Sequence, residues 1–298
     1  MYISKYFKLQ RGHENFDFVD VDISKDTSLF IDPCLIEAGT SSFCKSAVIT
    51  MKDYFDLFYD MYRKKHSYSD KIKFFSHAHE INATKLGYGT GKNGKAKTAE
   101  GMFETFESLQ RLVDSNVPIS KAIDLPIFIR DFAEDCLSDM LTNILFFELN
   151  EYTISQCKKY NVPLHLISDK YYYWDVASHD WKLYQGSGLV INGEIILLVP
   201  KKIVRHSFYY NTEQYFRSII LEKMQEEQTT FDSRGKELKP SKKSLRIGLL
   251  SSHSDILDVS AEETMKDPTL LKEHHDKMIV AYSKRHLSDE ELNSRVYI

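Results

Sequence analysis

Long apolar runs are missing from this 298-residue chain, and with them any segment able to cross a bilayer as a helix. The opening MYISKYFKLQRG holds no apolar core of the kind a secretory leader needs. Cysteine is scarce. The four present (Cys34, Cys44, Cys136, Cys157) show no CxxC spacing, which argues against a disulfide scaffold or a cysteine zinc site. Together these absences predict a cytoplasmic protein with reduced cysteines and no membrane partner. No GxSxG marks a serine hydrolase, and no strand–GxGxxG–helix context marks a dinucleotide site. There is no internal repeat, no heptad array, and no biased tract beyond one basic stretch.

What is present is globular: 42% hydrophobic residues, with 18 Tyr and 18 Phe. The net charge of −4 conceals a segregation. Nine Lys/Arg against two acids give Tyr62–Thr98 a balance of +7, whereas eleven acids against three bases give Glu100–Cys157 a balance of −8. A basic lobe beside an acidic centre suits a polyanionic substrate with a metal at the point of chemistry, although two solvated surfaces of opposite sign have the same signature.

The pattern predicts a mostly helical α+β fold. Asn15–Ser24 alternates as a strand, and Ser28–Asp32 follows it until Pro33 stops the pairing. Cys44–Lys65, Ser69–Asn82 and Thr98–Ser115 read as helices. Short strands come after residue 162, and Asn192-Gly193 signals a hairpin between Leu189–Ile191 and Glu194–Val199. Glu213–Gln228 is helical, Ser233–Arg246 is a basic linker, and helices complete the chain. The expected arrangement is a mixed sheet built by the N-terminal strands and that hairpin, with one long central helix, 127–157, packed on it. Such a fold has room for a divergent restriction-nuclease-like core. The expected division is an α+β core over 1–206 carrying the site and a mainly helical region over 207–298.

The central helix carries the chemistry. Asp131, Asp135, Ser138, Asp139, Thr142 and Asn143 share one face at i, i+4 spacing. Phe146 and Leu149 then take over that stripe, so the acidic face runs inward, where carboxylates need a cation or donors. Asp135 and Asp139, one turn apart, can ligate Mg2+ or Mn2+. The loop Lys85–Lys95, LGYGTGKNG between its lysines, falls short of a phosphate-binding P-loop because Ala96 stands where a hydroxyl belongs. It reads instead as a basic loop for a phosphate backbone, with Lys92, Lys95 and Lys97 supplying charge beside exposed main-chain N–H groups. Glu80, leading into that loop, is a candidate third acid; the nearby His77 and His79 lack partners at zinc spacing. Lys201 and Lys202 emerge from the apolar strand IILLVP. Lys201 is placed to neutralise a scissile phosphate and Lys202 to touch nucleic acid. The D…(D/E)xK arrangement is not met, since Val199 precedes Lys201 by two.

The cadence of FIDP, then HE…LGYG, then D…SD…TN, then LLVPKKIV resembles uncharacterised bacterial proteins of mobile-element and phage-defence neighbourhoods. That resemblance covers Asp32–Arg205 and implies a defence nuclease, but it assigns no residue a role. Two functions are carried forward. One is a metal-dependent phosphodiesterase in which Glu80, Asp135, Asp139 and Lys201 converge. The other is a non-catalytic nucleic-acid-binding or interaction subunit. DNA versus RNA, a protein partner and homo-oligomerisation are left open.

Overall fold

A computed structural model describes residues 1–78, 81–88, 98–251, 255–282 and 286–297. The helices of the first half are α1 (Ile3–Tyr6), α2 (Pro33–Ala38), α3 (Ser42–Arg63), α4 (Tyr68–Phe75), α5 (Ala99–Phe106) and α6 (Leu109–Asp114). Next come α7 (Leu125–Phe128), α8 (Glu134–Ile144) and α9 (Phe146–Tyr160). After the strands follow α10 (Thr212–Tyr215), α11 (Leu221–Glu227), α12 (Lys242–Leu250), α13 (Ile256–Lys266), α14 (Thr269–Tyr282) and α15 (Asp289–Arg295). About 53% of the described residues are helical.

The strands are short. β1 (Phe30–Ile31) pairs antiparallel with β7 (Val204–Arg205). β2 (His165–Leu166), β5 (Ser187–Ile191) and β6 (Glu194–Ile196) make a three-stranded antiparallel sheet. β3 (Tyr172–Asp175) pairs with β4 (Asp180–Leu183), and β8 (Thr230–Phe231) with β9 (Glu237–Leu238). Asn192 and Gly193, at φ 54° and 89°, turn β5 into β6 as their side chains allow.

The core is organised on α3. Ser41 caps it by accepting the N–H of Cys44, and Met51, Tyr54, Phe55, Phe58, Tyr59 and Tyr62 form its buried stripe. Tyr54 meets Phe74, Trp174 and Trp181 with ring centroids 4.7, 5.0 and 5.9 Å apart, joining α3 to α4 and the β3–β4 pair. α8 and α9 lie against α3 on one side and against β1, β3 and β5 on another.

Several expectations need correction. The single helix 127–157 is three helices: α7 ends at Phe128, Asp131 takes a left-handed φ of 59°, and Leu145 separates α8 from α9. Asp131 is therefore off the polar face that carries Asp135 and Asp139. The mixed sheet is replaced by small antiparallel sheets, and the described residues contain no central sheet of the restriction-nuclease kind. Asn15–Ser24 is not a strand; it makes isolated antiparallel bridges, Phe18 to Pro200 and Asp22 to Tyr2. Ser233–Arg246 is not a linker: it forms the turn and second strand of the β8–β9 hairpin and the first half of α12. Among the described residues no helix is long and apolar enough to cross a membrane.

Candidate functional site

The acidic face of α8 is assembled from its own first turns. Glu134 and Asp135 occupy the helix start, where carboxylates suit the positive end of the dipole. Ser138 is buried and its Oγ accepts the N–H of Ile31 at 3.0 Å, which pins α8 to β1. Thr142 and Asn143 are also buried; Thr142 Oγ1 donates to the carbonyl of Ser138 at 2.9 Å and Asn143 Nδ2 to that of Asp139 at 3.2 Å. Asp135 and Asp139, which flank Ser138 in sequence, are half-buried.

The root of the glycine-rich loop runs onto this face. Thr27 donates its N–H to Lys85 O and accepts that of Gly87, both at 2.9 Å, in a parallel bridge that fixes residues 85–87. Gly87 has φ 135°, and a Cβ there would lie 2.7 Å from Asp135 Oδ1. Only glycine gives the backbone that conformation and that clearance. Tyr88 follows, its ring 4.7 Å from Phe30, with its hydroxyl pKa raised by burial and by the charges of Glu134 and Asp135. Lys85 bends away to Glu194 at 3.1 Å. A cleft of about 490 Å3 opens at the N-terminal end of α8, lined in part by Arg130, Asp131, Glu134, Tyr210 and Glu213.

The other candidates divide. Lys201 lies elsewhere in its hydrogen bonding: its ammonium donates to Asp289 Oδ1 at 2.6 Å and to the carbonyl of His13 at 2.7 Å, with a side chain only 10% exposed. Near it Asp20 is buried, and burial raises its carboxyl pKa against the hydrogen bonds from Ser4. Lys202 is exposed. Glu80, Lys92, Lys95 and Lys97 lie outside the described residues. Among the described residues no group of three His, Cys, Asp or Glu is placed to hold a metal ion.

A buried centre has no counterpart in the sequence reading. Asp32 is fully buried, caps α2 through the N–H of Cys34 at 2.9 Å, and accepts Tyr210 OH at 2.9 Å. Arg205 Nε is 3.3 Å from its other oxygen, and the ring of Tyr209 lies 4.4 Å from the guanidinium. Asp32-Pro33 is thus a helix cap with proline at the first helical position. The one signal for Arg205 was its position beside the strand ending in Lys201; its partner lies far off in sequence.

No curated protein and no solved structure matches the chain. Residues 8–211, which hold α8, the loop root and the Asp32–Arg205 pair, match the model of a domain of unknown function, DUF8370, and the chain belongs to that family.

Proposed function

We propose that the chain is a divalent-metal-dependent phosphodiesterase acting on nucleic acid, with Asp135 and Asp139 as ligands of Mg2+ or Mn2+. The observation that carries the reading is the close approach of Gly87 to Asp135, which sets the base of a basic, glycine-rich loop against two half-buried carboxylates one turn apart. A cation on those oxygens would offset their charge, activate a water and stabilise the developing phosphorane. Glu80 is the proposed third acid, and Lys92, Lys95 and Lys97 the proposed contacts to the substrate backbone. Lys201 is left out of the mechanism because its ammonium is already held by Asp289. A cytoplasmic location and a role in phage defence belong to the same proposal.

The test is cleavage of labelled single- and double-stranded DNA and RNA in Mg2+, Mn2+ and EDTA. Asp139→Ala should reduce the rate by roughly a hundredfold or more, because it removes a ligand of the cation that activates the water, and even partners one shell further out are worth ~10–100-fold. Metal-dependent cleavage that survives this substitution would sink the reading. The binding-subunit alternative is favoured by one observation, an exposed basic hairpin at β8–β9, and expects nucleic-acid binding in EDTA with no cleavage under any metal.

A further inference from the structure

Between α11 and α12 the chain leaves the body as a hairpin with no core of its own. Thr230 faces Leu238 and Phe231 faces Glu237 across its two short strands. Asp232 shapes the turn: its Oδ1 accepts the N–H groups of Arg234 and Lys236 at 2.8 and 2.9 Å, while Gly235, at φ 75°, donates to its carbonyl. The single acid of the turn is thereby engaged by backbone donors. Every residue from Thr230 to Lys239 except Asp232 is exposed. Phe231 and Leu238 are 68% and 50% exposed and, as neighbours in register, point to opposite faces. Two-stranded hairpins are marginal in isolation, so an apolar pair left open on both faces is not there to hold the hairpin together.

Charge selects the occupant. From Ser233 to Arg246 there are six bases and one acid. Lys239 meets Glu237 at 3.7 Å, Lys242 meets Glu222 at 2.9 Å and Arg246 meets Glu213 at 2.5 Å. Among the described residues Arg234, Lys236 and Lys243 have no ion pair, and all three are exposed. Glu227, near the base of the hairpin, is 3.7 Å from Lys223.

We infer that the β8–β9 hairpin is a docking element for single-stranded nucleic acid, with Arg234, Lys236 and Lys243 on phosphates and Phe231 stacked on a base. An unpaired base has a free π-face to offer the ring, whereas in a duplex both faces of each base are already stacked on its neighbours. The inference shares with the proposed function the class of partner, and it uses neither the metal nor α8.

The experiment uses the full chain and fluorescein-labelled 20-nucleotide DNA and RNA, single-stranded and duplex, in EDTA over a NaCl series. Each phosphate contact on a single strand adds ~0.7 to the slope of log K against log salt, so Arg234→Ala/Lys236→Ala/Lys243→Ala should lower that slope by about 2. Phe231→Ala should weaken binding by roughly 5- to 100-fold with the slope unchanged, and Phe231→Trp should restore it. Circular dichroism confirms that the variants, all at exposed positions, remain folded. An unchanged slope in the triple variant, equal binding by Phe231→Ala, or preference for the duplex would overturn the inference. So would a labelled polyglutamate peptide binding as tightly as the oligonucleotide, which would make the occupant an acidic protein. Cleavage in Mg2+ is read separately: binding through the hairpin without cleavage removes the phosphodiesterase reading alone, and cleavage with hairpin-independent binding removes this one alone.

Discussion

Gly87 is the residue at which local geometry and the proposed chemistry meet. Its φ of 135° is open to glycine and costly for other residues, and its missing side chain leaves room for Asp135 Oδ1. Gly87→Ala should cost about 1–3 kcal/mol in urea unfolding and displace the Asp135 carboxylate. Divalent-cation binding, followed by calorimetry, should weaken with it. Wild-type stability and wild-type cation affinity together in this variant would show that the loop root can leave α8 without consequence. The Asp32–Arg205 pair is a different kind of site. Its members are buried with Tyr210 and Tyr209 around them, and a desolvated ion pair of this sort fixes geometry more than it adds stability. It holds β1 to β7, the strand pair against which α8 rests.

At the scale of elements, α8 and α9 hold the acidic face and the core in one line of sequence with a break between them. Phe146 and Leu149 are fully buried, as the loss of the polar stripe after Asn143 implied. Phe146 stacks on Tyr171 at 5.4 Å, and α9 packs on β3 and β5. Phe146→Ala should therefore destabilise by about 3–5 kcal/mol, seen as a lower urea midpoint; a change under about 1 kcal/mol would mean the site collapses around the loss. The inward turn of this face was legible because hydrophobic periodicity reports burial directly. The breaks were not. Leu145 carries no glycine or proline signal, and its φ of −95° and ψ of 16° fall where α8, resting on β1, gives way to α9, resting on β5, with α3 and β3 shared by both. Asp131 enters the left-handed region without being glycine, which aspartate tolerates but periodicity does not reveal. Asn192-Gly193 was readable for the opposite reason, since the turn chemistry is local and the dipeptide specifies it. The Asp32–Arg205 and Lys201–Asp289 pairs were hidden because they join residues distant in sequence, and no spacing rule reaches that far.

Across the whole molecule, the C-terminal helices are bound back onto the N-terminal half through polar contacts, and a buried histidine beside one of them responds to pH. His275 Nε2 lies 2.6 Å from the buried Asp124, α14 packs on α2, and Asp289 holds Lys201. His274, next to that contact on α14, is 1% exposed; among the described residues neither of its ring nitrogens has a hydrogen-bond partner, and its ring stands edge-on to Tyr215 at 5.2 Å. Burial pushes its pKa down to about 4; Asp124 opposes the shift, while His275 and Lys277 add to it. The folded state thus keeps His274 neutral while the unfolded chain takes up a proton near pH 6.5. The unfolded state binds more protons between those values, so this residue's contribution is complete above about pH 6.5 and is lost progressively toward pH 4. At ~1.36 kcal/mol per pKa unit, the loss over that window is about 3 kcal/mol. Asp20 and Glu148 work the other way: burial raises both carboxyl pKa values, so they favour the folded state more as pH falls through the range just above their ordinary values. The net curve mixes these signs, and the difference between the wild type and His274→Phe isolates one of them. The phenyl ring keeps the edge-on contact with Tyr215 and removes two unsatisfied nitrogens, so the variant should match or exceed the wild type at pH 7 and outlast it increasingly toward pH 4. Parallel stability curves for the two proteins, measured by urea unfolding at half-unit steps, would show that His274 is not held neutral.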